Sequence, residues 1–144
     1  MSDQKDKGAH FFRCDFQVHT PRDKAWKGKA YTTVEDRRAY AQKLVEACRF
    51  QNLNAIAISD HHDLCFFPYI KQAAALETDA KGDIIPLAQK LVVFPAIELT
   101  VNVPCQIILI FDSEFPETLL PQILTVLTIN PAPNSEPKTA AVVM

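Results

Sequence analysis

Residues 1–10 are mostly polar and apolar content begins at His10-Phe11-Phe12, so residues 1–10 are expected to be a disordered amino terminus. From Phe12 to His19 polarity alternates, with Phe12, Cys14, Phe16 and Val18 on one side and Arg13, Asp15, Gln17 and His19 on the other. That period predicts a strand whose polar face looks toward chemistry. Thr20 to Tyr31 has Pro21, Gly28 and several basic residues but no period, and reads as a long loop. A helix is expected from Thr33 to about Gln51, capped by Thr32 or Thr33, with Thr32 and Glu35 at capping-box spacing and Ala41, Leu44, Val45 and Cys48 as its apolar stripe. Ala55-Ile56-Ala57-Ile58 is continuously apolar, as a strand buried on both faces would be.

The rhythm continues with a helix opened by Pro68 and ending near Thr78, and strands over residues 91–98 and 106–112. A last helix fits residues 116–127, where Pro121 forces a kink or a late start. Strands alternating with helices predict an α/β domain over residues 11–129 with a mostly parallel sheet. Residues 130–144 are proline-rich and then apolar, and read as a linker or a truncated tail.

Composition narrows the function classes. With 144 residues and 48% hydrophobic content there is material for one core. A net charge of −2 argues against a protein that coats nucleic acid generally, and leaves only local contacts with a polyanion. No apolar run reaches the roughly 18 residues of a membrane span, and the start lacks a signal-peptide pattern, so no membrane partner and a cytoplasmic location are expected. Cys14, Cys48, Cys65 and Cys105 lie singly, which suits buried thiols better than disulfides or a zinc ribbon.

The chemistry gathers at the carboxyl ends of the expected strands, where α/β folds place their ligand sites. His19 ends the first, Ser59-Asp60-His61-His62-Asp63 follows the second, and Glu98 lies at the end of the third. Each group is about one strand–helix unit from the next, so convergence is possible without strain. Imidazole and carboxylate donors suit Mn, Zn or Fe, and such a centre activates water and polarises a phosphoryl oxygen. The expected metal set is His19, Asp60, His61, His62 and Glu98, with Asp60 and His61 also the expected catalytic pair. Arg22, Lys24 and Lys27, in the basic loop with Trp26, are the expected substrate contacts, drawing in a phosphate backbone.

Asp15-Phe-Gln-Val-His-Thr20, Ile58-Ser-Asp-His-His-Asp63 and Phe94-Pro-Ala-Ile-Glu-Leu-Thr100 resemble the first three sequence blocks of the PHP (polymerase and histidinol phosphatase) superfamily, in their usual order. The resemblance covers roughly residues 11–112. It implies part of a distorted (β/α)7 barrel holding up to three metal ions, and phosphoesterase or exonuclease activity. His19, Asp60, His61 and Glu98 match family motif positions, and the matched glutamate there bridges two metals. Gln17 and Gln106 stand where the family has histidines, and the family's late Asp-x-His block has no counterpart before Met144. Half of the roughly 250 residues of an α/β barrel cannot close a ring, so further sequence or a partner chain is expected to cover the open side. The first block together with Gln106-Ile-Ile-Leu-Ile-Phe-Asp112 is most similar to the amino-terminal module of PHP–ATPase fusions, the TrlF-type AAA/SMC-like proteins. No G-x-x-x-x-G-K-S/T occurs, so an ATPase would lie elsewhere.

Two functions follow as expectations. One is a metal-dependent phosphoesterase, nuclease-like, using metal-activated water on a phosphoester or nucleic acid, within a larger ATPase-linked protein. The other, favoured by Gln17 and Gln106, is a catalytically degenerate module that docks or regulates.

Overall fold

The computed structural model describes residues 9–101 and 104–130. Its elements run β1 (Cys14–Val18), α1 (Val34–Phe50), β2 (Ala55–Ile58), α2 (Phe67–Ala75), β3 (Val92–Thr100), β4 (Gln106–Ile110) and α3 (Leu120–Val126), with 3-10 turns at Leu87–Gln89 and Glu117–Leu119. Helix α1 begins where Thr33, one of the two expected caps, accepts the Asp36 amide, and the Thr32–Glu35 spacing is not the one used. Helix α2 starts with Pro68 in its first turn, where a missing amide hydrogen costs nothing. Pro121 does the same for α3, which explains the late start.

The strands form one sheet in the order β1-β2-β3-β4. Strand β1 pairs parallel with β2, and β2 parallel with β3, but β3 and β4 are antiparallel. The expected portion of a (β/α)7 barrel with mostly parallel strands is therefore corrected to a four-stranded mixed half-barrel sheet with three helices. The reason is the link: residues 101–105 separate β3 from β4, and a parallel crossover needs about a dozen residues or more.

One face of the sheet is the core. Ile56, Ile58, Val93, Ile97 and Leu99 pack against Ala41, Val45 and Cys48 of α1, Phe67, Ile70 and Ala74 of α2, and Leu120 and Leu124 of α3. Each large aliphatic or aromatic group buried there contributes about 1.5–3 kcal/mol relative to exposure. The opposite face has no helix over it among the described residues, and Phe12, Phe16 and Val92 remain 72%, 44% and 41% exposed there.

Strand β1 does not keep the expected strict alternation. Asp15 pairs with Ile56 but Val18 with Ile58, so β1 holds one extra residue, a bulge. Cys14 lies beside Ala55 toward the open face, yet Val18 lies beside Ile58 and packs on the core. Phe16 and Gln17, the two residues within the bulge, both address the open face: Phe16 meets Phe94 edge-on at 5.9 Å, and Gln17 reaches Glu98. Residues 1–8 and 131–144, and with them most of the expected disordered start and linker tail, lie outside the described residues. No described helix is long and apolar enough to cross a membrane.

Candidate metal centre

Above the carboxyl ends of β1 and β2 two loops are laced together. The Thr20 amide and hydroxyl donate to the two oxygens of Asp60, each at 2.6 Å, and Arg22 Nε donates to Asp63 Oδ2 at 2.8 Å. Thr20, Arg22, Asp60 and Asp63 are all buried. Asp23 closes a turn on the Thr20 carbonyl, and its Oδ2 accepts the His61 backbone amide at 3.1 Å. On the other side a parallel bridge joins His61 to Glu98, with the Glu98 amide donating to the Asp60 carbonyl. Backbone and side-chain bonds thus fix His19, Asp23, His61 and Glu98 around one point.

The two imidazoles, His19 and His61, are stacked nearly parallel, 10° between planes and 5.2 Å between centroids. Their Nδ1 atoms lie 3.2 and 2.6 Å from a single oxygen, Asp23 Oδ2. Their Nε2 atoms face different oxygens of Glu98, His19 at 3.3 Å from Oε2 and His61 at 3.5 Å from Oε1. Gln17 Nε2 donates to Glu98 Oε2 at 3.2 Å, and the Gln106 amide lies 3.1 Å from His61 Nε2. Burial pushes the Asp23 carboxyl up, but the bonds from the His61 side chain and the Ala25 and His61 amides outweigh it and hold it below its ordinary range. It stays an anion.

His19, His61 and Glu98 of the expected set come together here; Asp60 and His62 do not join them. Both Asp60 oxygens are occupied by Thr20, and burial, partly offset by those bonds, pushes its pKa up to about 7. Asp60 therefore acts on the centre by holding the residue between His19 and Asp23. His62 is fully buried at a left-handed φ of 57°, and its Nε2 accepts the Thr100 amide at 3.2 Å. Burial lowers its pKa, followed by the influence of His61 and Lys24, which favours the neutral ring this bond requires.

The expected substrate contacts separate as well. Arg22 is 1% exposed and paired with Asp63, so it faces the interior rather than a substrate, whereas Lys24 and Lys27 are exposed on the loop. Trp26 packs edge-on against Tyr40 and donates to the Lys29 carbonyl. Sequence reasoning passed over Asp23. It lies in an aperiodic loop where nothing marks one acid as turned inward, and its place four residues after His19 was the available clue.

Among the described residues, His19, Asp23 and His61 form a group of donors that could hold a metal ion, with ligand atoms all within 4.8 Å of one another. The fit is supported by His19 Nδ1, which is buried and has no hydrogen-bond partner despite its closeness to Asp23. Two imidazoles and a carboxylate suit Zn, Mn or Fe better than Ca or Mg. No protein-family model matches the chain, and no curated protein matches it.

Proposed function

We propose that the chain is a metal-dependent phosphoesterase domain of PHP type whose substrates are phosphodiesters, nucleic acid included. His19, Asp23 and His61 hold a divalent ion, Mn, Zn or Fe. The observation that carries this reading is the orphaned, buried Nδ1 of His19 facing the same Asp23 oxygen that His61 faces. A bound divalent ion would supply an activated water at neutral pH and polarise a phosphoryl oxygen. The residues of the chain do the rest: Asp60 and the Arg22–Asp63 pair hold the loops in register, and Lys24 and Lys27 offer the entering phosphate a positive rim. The sheet face that no described helix covers, and the edges unpaired among the described residues, are what further sequence or a partner chain of an ATPase-linked protein would cover.

A second reading, a degenerate docking or regulatory module, is favoured by the carboxamides of Gln17 and Gln106 beside Glu98 and His61, since carboxamides are weak ligands for these metals. Hydrolysis of bis-p-nitrophenyl phosphate by the purified full chain separates the two. The first reading expects turnover that needs added Mn or Zn, stops with EDTA and is lost in His61→Ala. A chain that binds no metal and gives no turnover belongs to the second, and metal binding without turnover on any phosphoester overturns the enzymatic reading.

A further inference from the structure

The loop that supplies Asp23 is held in place by a side chain with no part in the donor set. Asp23 opens a turn: its carbonyl accepts the Trp26 amide at 3.1 Å, and its Oδ1 accepts the Ala25 amide at 2.7 Å. With Oδ1 occupied in this way, Oδ2 is the oxygen turned toward His19 and His61. Trp26, which closes the turn, is fastened by three neighbours. Its ring meets Tyr40 of α1 edge-on at 6.0 Å, and its Nε1 donates to the Lys29 carbonyl at 3.1 Å. Gly28 lies so close to the ring that a Cβ there would sit 2.7, 2.8 and 2.9 Å from Nε1, Cε2 and Cζ2.

Backbone freedom does not explain Gly28, since among the described residues Gly82 is the glycine with a positive φ. The close approach does. Carbon atoms pack at about 3.5–4.0 Å, so any side chain at position 28 displaces the indole. Tyr40 in turn meets Phe66 edge-on at 5.3 Å, which anchors the loop after β2 on the same ring. We propose, resting on the metal-centre reading above, that Trp26 is a positioning residue: held by Gly28, Lys29 and Tyr40, it fixes the turn that aims Asp23 at the two imidazoles and so sets the affinity of the centre. A carboxylate on a loose turn has to be ordered by the ion itself, and that lost freedom is subtracted from binding. Groups that orient a metal ligand from behind commonly carry 10–100-fold in affinity for this reason.

The test uses the full chain and metal ions alone. Competition with a chromophoric chelator gives the Zn²⁺ affinity, and saturation with Co²⁺ gives the ligand-field absorption of the centre. Gly28→Ala, which pushes a methyl group into the indole, is expected to weaken Zn²⁺ binding about 10–100-fold and to shift the Co²⁺ absorption. Trp26→Leu is expected to do the same. The double variant is expected to bind no more weakly than Trp26→Leu alone, because the methyl then has no ring to displace. Leu124→Ala, a cavity on the core side of the sheet, is expected to lower the unfolding midpoint while affinity and absorption stay natural. Where Gly28→Ala does not fold, Trp26→Leu decides. A folded variant of Gly28 or Trp26 with natural Zn²⁺ affinity or natural Co²⁺ absorption overturns the assignment of Trp26 and leaves the metal centre standing, as does an equal loss of affinity in Leu124→Ala. A natural chain that binds neither ion overturns both.

Discussion

Arg22 brings a charge into the interior, and its bond to Asp63 at 2.8 Å is what makes that tolerable, with both side chains less than 5% exposed. Removing one partner takes a charge-assisted bond from a buried charge, so Arg22→Ala is expected to cost about 3–5 kcal/mol in urea unfolding. Replacing the pair together, Arg22→Met with Asp63→Leu, is expected to recover part of that loss; the Cys65 amide, which Asp63 Oδ1 accepts at 2.6 Å, keeps the recovery incomplete. A loss below about 1 kcal/mol in the single variant would show an ordinary surface pair instead. The same residue shows why site assignment from spacing alone was incomplete. A basic loop after a strand looks like a phosphate-facing rim, and the chain's spacing does not tell which of its cations turns inward. The meeting of His19, His61 and Glu98 was legible because each lies at or near the carboxyl end of an expected strand. Asp60 and His62 stand in the same cluster but are consumed by Thr20 and Thr100, partners a linear pattern does not announce.

At the scale of elements, local chemistry decided most of what could be read. Helix α1 and strand β2 form where period and apolar run place them, because α1 carries its own amino-terminal cap and β2 is buried along its whole length. Thr33→Ala removes the side chain that accepts the Asp36 amide and is expected to lower stability by about 1 kcal/mol, read from thermal or denaturant unfolding. An unchanged midpoint would mean that Thr32 or solvent takes over the cap. Two features depend on pairing partners rather than on the segment itself. The bulge in β1 exists only relative to β2, and it carries Gln17 and His19 to the side where Glu98 lies. The antiparallel turn of β4 follows from the short link to β3, which outweighed the parallel pattern suggested by the apolar runs.

At the scale of the whole molecule, three helices cover one face of the sheet while the other keeps exposed phenylalanines and leads up to the polar centre. A cluster of two imidazoles and two carboxylates, buried or partly buried at the rim of such a sheet, is costly to desolvate unless a cation joins it. The α/β rhythm was legible as a succession of elements; the half-barrel was not, since the number of strands and the direction of the last one are set by what packs together. The central claim, that His19, Asp23 and His61 form a metal centre, is tested most directly by equilibrium dialysis of the full chain against Zn²⁺ and Mn²⁺ with elemental analysis, beside Asp23→Asn and His19→Ala. The account expects stoichiometric binding in the natural chain and its loss in both variants; a natural chain that leaves dialysis empty, or variants that hold metal as well as it does, would contradict it.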